Sequence, residues 1–162
     1  MLFRSLVDEG FAARFIDRVA AADARPEWIA LEVTEASLHG VGSTAHRNLV
    51  ALADAGVTIA VDDFGTGTSS LERLVEHRIG RLKIDRRFVA GVATDERTRR
   101  LVAAMLAIAS DLKLEVVAEG VEQEEQAAAL RELGCAAAQG YLFAPAVPTT
   151  ELVSVLTDLR RA

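Results

Sequence analysis

The feature that most constrains the fold is a repeated alternation of short apolar runs with longer amphipathic ones. The apolar runs lie at 28–33, 57–61, 81–84, 114–118 and 136–143. Between and after them, helical periodicity covers about 10–24, 42–55, 69–77, 96–112, 123–133 and 150–160. Apolar runs too short to be helices, each followed by a helix, read as buried strands. Strand–helix units in succession imply a parallel sheet with right-handed crossovers. The boundary residues agree. Ser43 or Thr44 is placed to cap the second helix, Thr94 or Asp95 the fourth, and Thr149 or Thr150 the last. Gly56 and Gly134 stand just past a helix, where a left-handed residue is needed.

Composition narrows the choice of fold and compartment. At 162 residues the chain makes one domain with a real core, and hydrophobic residues at 51% with aromatics at 5% suit helices on a parallel sheet. A net charge of -6 argues against a broad nucleic-acid footprint, so no DNA partner is expected; a local site for a phosphate ligand stays open. Cys135 is the single cysteine, which excludes a disulfide framework. No apolar run reaches the about 18 residues of a membrane span, and no basic-then-apolar leader opens the chain. The expectation is a cytoplasmic protein with no membrane segment.

Two architectures fit a parallel α/β chain: an open doubly wound sheet and a partial TIM-barrel-like (β/α) fold of about five strands. No Gly-x-Gly-x-x-Gly follows the first strand, which weakens a dinucleotide-binding reading. The C-terminal strand ends favour the barrel. They carry Glu32 and Glu35, Asp62 and Asp63, Lys83 and Asp85, Glu119 and Glu122, and Gln139. Barrel enzymes build their sites on that rim from several strands. With a side-chain period of two, Glu32, Asp62, Lys83, Glu119 and Gln139 can share one mouth. So many oxygen donors without a Cys/His cluster suit Mg2+ or Mn2+, and adjacent aspartates suit a two-ion site. The positive partner of Asp62 and Asp63 would then be a pair of divalent ions.

Each residue also has a plainer reading. Asp62-Asp63 before Phe64-Gly65 could be a turn, Glu32 an exposed strand residue, and Lys83 a partner of Asp85. Glu119 and Glu122 could favour a helix N-terminus, and Gln139 could serve an ordinary turn. His39, His46 and His77 show no paired spacing and read as structural. What argues against the plain readings is that all of them would have to fall together at strand ends.

The segments LEVTE (31–35), DDFGTGTSSL (62–71), LKIDRRFV (82–89), VVAEGVE (116–122) and QGYLF (139–143) together resemble the successive motifs of the EAL domain. That family comprises bacterial phosphodiesterases that linearise the second messenger cyclic di-GMP to pGpG. The resemblance runs from about Leu6 to the C-terminus. It implies that Glu32 and Asp62 bind a first metal, with Asp62 bridging to a second that Asp63 completes and Glu119 approaches. It also implies that Lys83 contacts the nucleophilic water and Gln139 the metal–water network, which with Glu119 makes Lys83 and Gln139 the catalytic candidates. Glu35 would anchor the loop after DDFG, Glu122 would be a supporting acid, and Gly65 and Gly67 would let the loop close.

The departures from the family pattern carry expectations of their own. The Glu-Ala-Leu triplet is absent, and the Asn of the family's N-x-S strand falls by register just before Met1. Thr68 stands where Tyr is usual, and FAPAVP follows where a basic residue and Pro are usual. Residues 1–162 are therefore expected to form an EAL-type domain lacking its N-terminal part, about three strands and two ligands of the first metal. On this reading activity of the chain alone is impaired, and exposed barrel edges promote self-association or dimerisation; a further reading makes Met1 an internal methionine of a longer domain. The alternative is a catalytically inactive nucleotide-binding or protein-interaction module with a regulatory role.

Overall fold

The structure, a computed structural model, describes residues 5–38, 42–65 and 71–159. Helix α1 (Phe11–Ala21) and a 3-10 turn (Pro26–Trp28) lead into β1 (Ala30–Thr34). Helices α2 (Glu35–Leu38) and α3 (Ser43–Asp54) precede β2 (Thr58–Phe64), and α4 (Leu71–Glu76) precedes β3 (Arg81–Ile84). Next come α5 (Arg86–Gly91), α6 (Glu96–Asp111), β4 (Glu115–Glu119), α7 (Glu124–Glu132) and β5 (Ala137–Gln139). A second 3-10 turn (Thr149–Glu151) and α8 (Leu152–Leu159) complete the described chain. The five strands form one sheet in the order β1-β2-β3-β4-β5, and every neighbouring pair is parallel.

The two sheet faces have different roles. Leu31, Val33, Ile59, Val61, Leu82, Ile84 and Ala118 point to the face covered by helices and are buried. They join Leu49 and Leu52 of α3, Val89 of α5, Val102 of α6 and Leu130 of α7 in one core. Each of the larger of these side chains contributes about 1.5–3 kcal/mol on burial. The opposite face carries Ala30, Glu32, Thr34, Glu115, Ala137 and Gln139, all exposed. The alternation along β1, exposed and buried by turns, is the sequence period made visible.

The structure corrects several boundaries. The β5 strand is only three residues long, because the chain turns at Gly140. A Cβ on Gly140 would lie 2.1 Å from the Val121 carbonyl oxygen, so only glycine lets these backbones meet. Trp28 lies in the 3-10 turn rather than in β1, while β2 extends past Val61 to Phe64. Helix α3 starts after Gly42 with no side-chain cap, so neither Ser43 nor Thr44 caps it. Asp95 does cap α6, accepting from the N–H groups of Arg97 and Thr98. No side chain caps the turn after Pro148 that begins the last helical segment. Helices α2 and α5 are too short for periodicity to reveal.

The N-terminal segment is fastened to the sheet layer through one buried amide. Asn48 of α3 donates to the carbonyls of Leu6 at 2.8 Å and Asp8 at 2.9 Å, and its Oδ1 accepts from Ala12 N–H at 3.3 Å. A side chain that serves three backbone groups at once satisfies donors and acceptors that burial would otherwise penalise. Asn48→Ala is expected to lower unfolding free energy by about 2–3 kcal/mol, measured by urea denaturation. A loss below about 0.5 kcal/mol would show that water replaces the amide without penalty.

Candidate active site

Parallel register brings the strand-end side chains to one mouth. Pairing of Glu32 with Ala60, Thr34 with Asp62, Lys83 with Val117 and Glu119 with Gln139 sets these residues on the face away from the helices. Lys83 Nζ lies 2.7 Å from Glu32 Oε1, 2.6 Å from Glu119 Oε1 and 3.2 Å from Asp62 Oδ1. Gln139 Nε2 donates to Glu119 Oε1 at 2.7 Å. Lys83 does not pair with Asp85, which caps α5 and binds the Arg87 side chain instead.

A bulge decides where Asp63 goes. Val61 pairs with Leu82 and Phe64 with Ile84, so β2 spends one more residue than β3 over this interval. On a regular strand Asp62 and Asp63 would face opposite sides. The extra residue, with Asp63 at φ 57°, instead brings both to the mouth. Carboxylate oxygens of Asp62, Asp63 and Glu119 lie within 4.8 Å of one another. Gly65 follows at φ 91°, and its N–H donates to Glu35 Oε2 at 3.0 Å, which ties the chain leaving the bulge to the buried Glu35.

Burial and charge set the protonation of the cluster. Burial lowers the affinity of Lys83 for its proton, but contacts with Glu119, Glu32 and Asp62 outweigh it and hold the ammonium well above its ordinary pKa. Burial raises Glu119 against the opposing pull of Lys83, with the Asp62 charge adding to the rise. A hydrogen bond to the Asp85 carboxyl raises Asp63, helped by burial and by Asp62. For Asp85 the upward push of burial is outweighed by hydrogen bonds from Arg87 and Asp63, and the net shift is downward. As pH falls, Asp63 is therefore the member of the pair that takes up the shared proton first, and Asp85 keeps its charge longer.

The donor set fits a hard divalent cation. Asp62 Oδ1 is buried without a well-aligned hydrogen bond, its lysine contact being an ion pair only. That orphaned oxygen, beside those of Asp63 and Glu119, is what a cation would satisfy. Glu32 reaches the cluster through Lys83 rather than directly. Glu122 is exposed at the start of the α7 turn, and among the described residues its carboxylate has no partner; Gln126 accepts from its backbone N–H. Gly67 and Thr68 lie outside the described residues. Asp85 is the site contributor that sequence reading missed: its strand-end position was visible, its contact with Asp63 across the bulge was not.

A parallel (β/α) sheet whose C-terminal rim gathers acids around a lysine defines a TIM-barrel-like class of domain. The EAL domain profile matches residues 2–146, and the chain belongs to that family. The cyclic di-GMP phosphodiesterase RocR of Pseudomonas aeruginosa is 42% identical over 123 residues, covering 76% of this chain and 31% of that protein. The structure of the phosphodiesterase PaMucR in a c-di-GMP complex superposes with TM-score 0.84 at 35% identity, over 93% of this chain and 61% of that one. A manganese/cy-diGMP complex of Klebsiella pneumoniae BlrP1 superposes with TM-score 0.79 at 32% identity, over 85% of this chain and 35% of that one. The chain thus spans less than a third of the length of its curated relative RocR.

The Asp63–Asp85 pair makes a testable stability signature. Asp63 holds its proton more tightly folded than unfolded, so its contribution is present below the ordinary aspartate pKa and is lost as pH rises through the raised folded value. Asp63→Asn keeps a donor toward Asp85 at every pH and tolerates the left-handed backbone. In EDTA-treated protein it should raise stability at pH 7 by about 1 kcal/mol and much less at pH 4. Thermal melts at the two pH values measure this, and an equal gain at both would contradict the shared proton.

Proposed function

We propose that this chain supplies the metal-binding and catalytic rim of a phosphodiesterase domain that opens cyclic di-GMP to linear pGpG in bacterial second-messenger signalling, using Mg2+ or Mn2+. The observation that carries the reading is the convergence of Glu32, Asp62 and Glu119 on Lys83, with Asp63 added by the bulge. Relatives named for cyclic di-GMP hydrolysis and binding support the substrate. The manganese complex of a relative supports the ion class.

The proposed division of labour follows from the contacts. Asp62, Asp63 and Glu119 would hold one ion, and Glu32 with Asp62 would contribute to another. Bound there, the ions would supply Lewis-acid activation of water and neutralise phosphate charge. Lys83, with its raised pKa, stays a cation at neutral pH. It therefore serves to orient water and balance phosphate charge, not to accept a proton. Gln139 holds Glu119 Oε1 and so aims that carboxylate. Glu35 fixes Gly65, where the segment toward Gly67 begins. Mn2+ titration followed by calorimetry should give at least tenfold weaker binding in Asp63→Ala than in the unaltered chain. Equal affinity would remove Asp63 from the ligand set.

Catalysis needs more ligands than these residues supply around Glu32. On this proposal residues 1–162 are part of an EAL-type domain, and the open sides of β1 and β5, each paired to one neighbour among the described residues, are where further strands or a second copy would pair. Turnover by these residues alone is therefore negligible. A chain extended by the three strands that carry the family's Glu-Ala-Leu and Asn donors should form pGpG at least about 10²-fold faster. In the extended chain, Lys83→Ala should abolish turnover while leaving nucleotide binding nearly intact. Chromatographic detection of pGpG in Mg2+ and in Mn2+ decides this. Binding without turnover in the extended chain would favour the regulatory module. Sedimentation should find the 162-residue chain self-associated, and a monomer at high concentration would reject the open edges as its cause.

A further inference from the structure

A second cluster of metal-ligating side chains stands apart from the carboxylate rim, on the helical layer. His46 is in the first turn of α3, Glu76 is the last residue of α4, and His77 follows it. Sequence spacing gives no hint of a pair, since His46 and His77 are 31 residues apart. The fold nevertheless sets their Nδ1 atoms 3.0 Å apart, with the rings in an edge-on arrangement at 5.2 Å between centroids. A ring nitrogen of each histidine and a carboxylate oxygen of Glu76 lie within 4.8 Å of one another.

We propose that His46, His77 and Glu76 form a binding site for a borderline transition-metal dication, with Zn2+ the best match and Co2+ a close substitute. The chemistry differs from that of the rim. Two imidazoles and one carboxylate select Zn2+, Co2+ or Ni2+ over Mg2+ and Ca2+, which prefer all-oxygen shells. In a tetrahedral site with Zn–N of about 2.0–2.1 Å, two ligating nitrogens stand about 3.3 Å apart. The histidine pair needs to open by only a few tenths of an ångström to meet that spacing. The imidazole that donates its Nδ1–H across the pair would carry that proton on Nε2 instead, so both Nδ1 lone pairs face the ion and no net proton is released. His77 is 3% exposed, so its ring is held by packing, while Glu76 is exposed and free to swing onto the ion. The nearest guanidinium on α4, that of Arg73, is turned to the Leu38 carbonyl. Three protein ligands leave a fourth position for water or for a donor from a partner.

The site would clip α4 to α3. Helix α4 lies in the chain between the Asp62–Asp63 bulge and Lys83, so an ion there would pin the far end of the segment that leaves the bulge. Its occupancy is independent of the proposed phosphodiesterase reading.

The test uses the full 162-residue chain, stripped with EDTA and titrated with Co2+ in the presence of excess Mg2+, which occupies all-oxygen sites. The expected result is one equivalent of Mg2+-resistant Co2+, seen in visible ligand-field absorption and displaced by Zn2+. His46→Gln and Glu76→Gln change residues that are not fully buried and should fold; circular dichroism checks this. His46→Gln should abolish the Mg2+-resistant spectrum, and Glu76→Gln should weaken binding about 10–100-fold. The rim variant Asp63→Asn should leave it unchanged. Thermal melts should rise by several degrees with Zn2+ in the unaltered chain and not in His46→Gln. Absence of a Mg2+-resistant spectrum, or its persistence in folded His46→Gln, would overturn the proposal. Loss of the spectrum in Asp63→Asn would likewise overturn it by moving the ion to the rim.

Discussion

The C-terminal rim of the sheet depends on a single ammonium group. Glu32, Asp62 and Glu119 come from three different strands, and parallel register forces them together whether or not their charges agree. Two like charges about 4 Å apart repel by roughly 4 kcal/mol where water screens incompletely. Lys83, only 8% exposed at its side chain, offsets that repulsion from the centre. Burying a lysine is itself unfavourable, and the acids that need it are also what keep it charged. Cation and anions thus make each other tolerable. The acids still exceed the cation, which is the electrostatic condition for holding a divalent ion.

The bulge in β2 converts a fold into a site. Two neighbouring residues of a regular strand cannot both serve one mouth, and the extra residue between Val61 and Phe64 removes that restriction. A left-handed aspartate is unfavourable by about 1 kcal/mol or more. The surroundings over-determine it: Asp63 bonds to Asp85 on the β3 side, and Glu35 from the β1 side holds Gly65 two residues on. Strain at Asp63 is therefore held by groups just past the ends of both flanking strands. Local backbone strain and gathered negative charge occur in the same two residues, where binding a cation would relieve the charge.

The helical layer is chemically distinct from the rim it supports. Its contacts with the sheet are largely apolar, and buried polar groups such as Asn48 and His77 tie helices to loops and to one another. Asn48 fastens the N-terminal segment and His77 meets His46 across the α3–α4 gap. These fastenings lie on the side of the sheet opposite the carboxylates. A ligand acting there would reach the rim through the segment between β2 and β3, not by direct contact.

Sequence by itself determined the class of fold, because period and residue type are local properties. Alternating apolar and amphipathic runs specify parallel β/α units, and the acids, lysine and glutamine at the strand ends identify the family in the order of its motifs. The run 81–84 coincides with β3, where three of four residues are buried, whereas 136–143 overshot β5 because apolar character continues past a turn set by Gly140 and Val121. Tertiary structure alone decided the rest. The bulge that brings Asp63 beside Asp62 arises from unequal spacing between β2 and β3, which no single segment encodes. The approach of Asp63 to Asp85, the place of Lys83 among three acids and the meeting of His46 with His77 are all contacts between residues distant in sequence. Such contacts are set by how strands register and helices pack, and residue pattern along one segment carries no information about the distance between two.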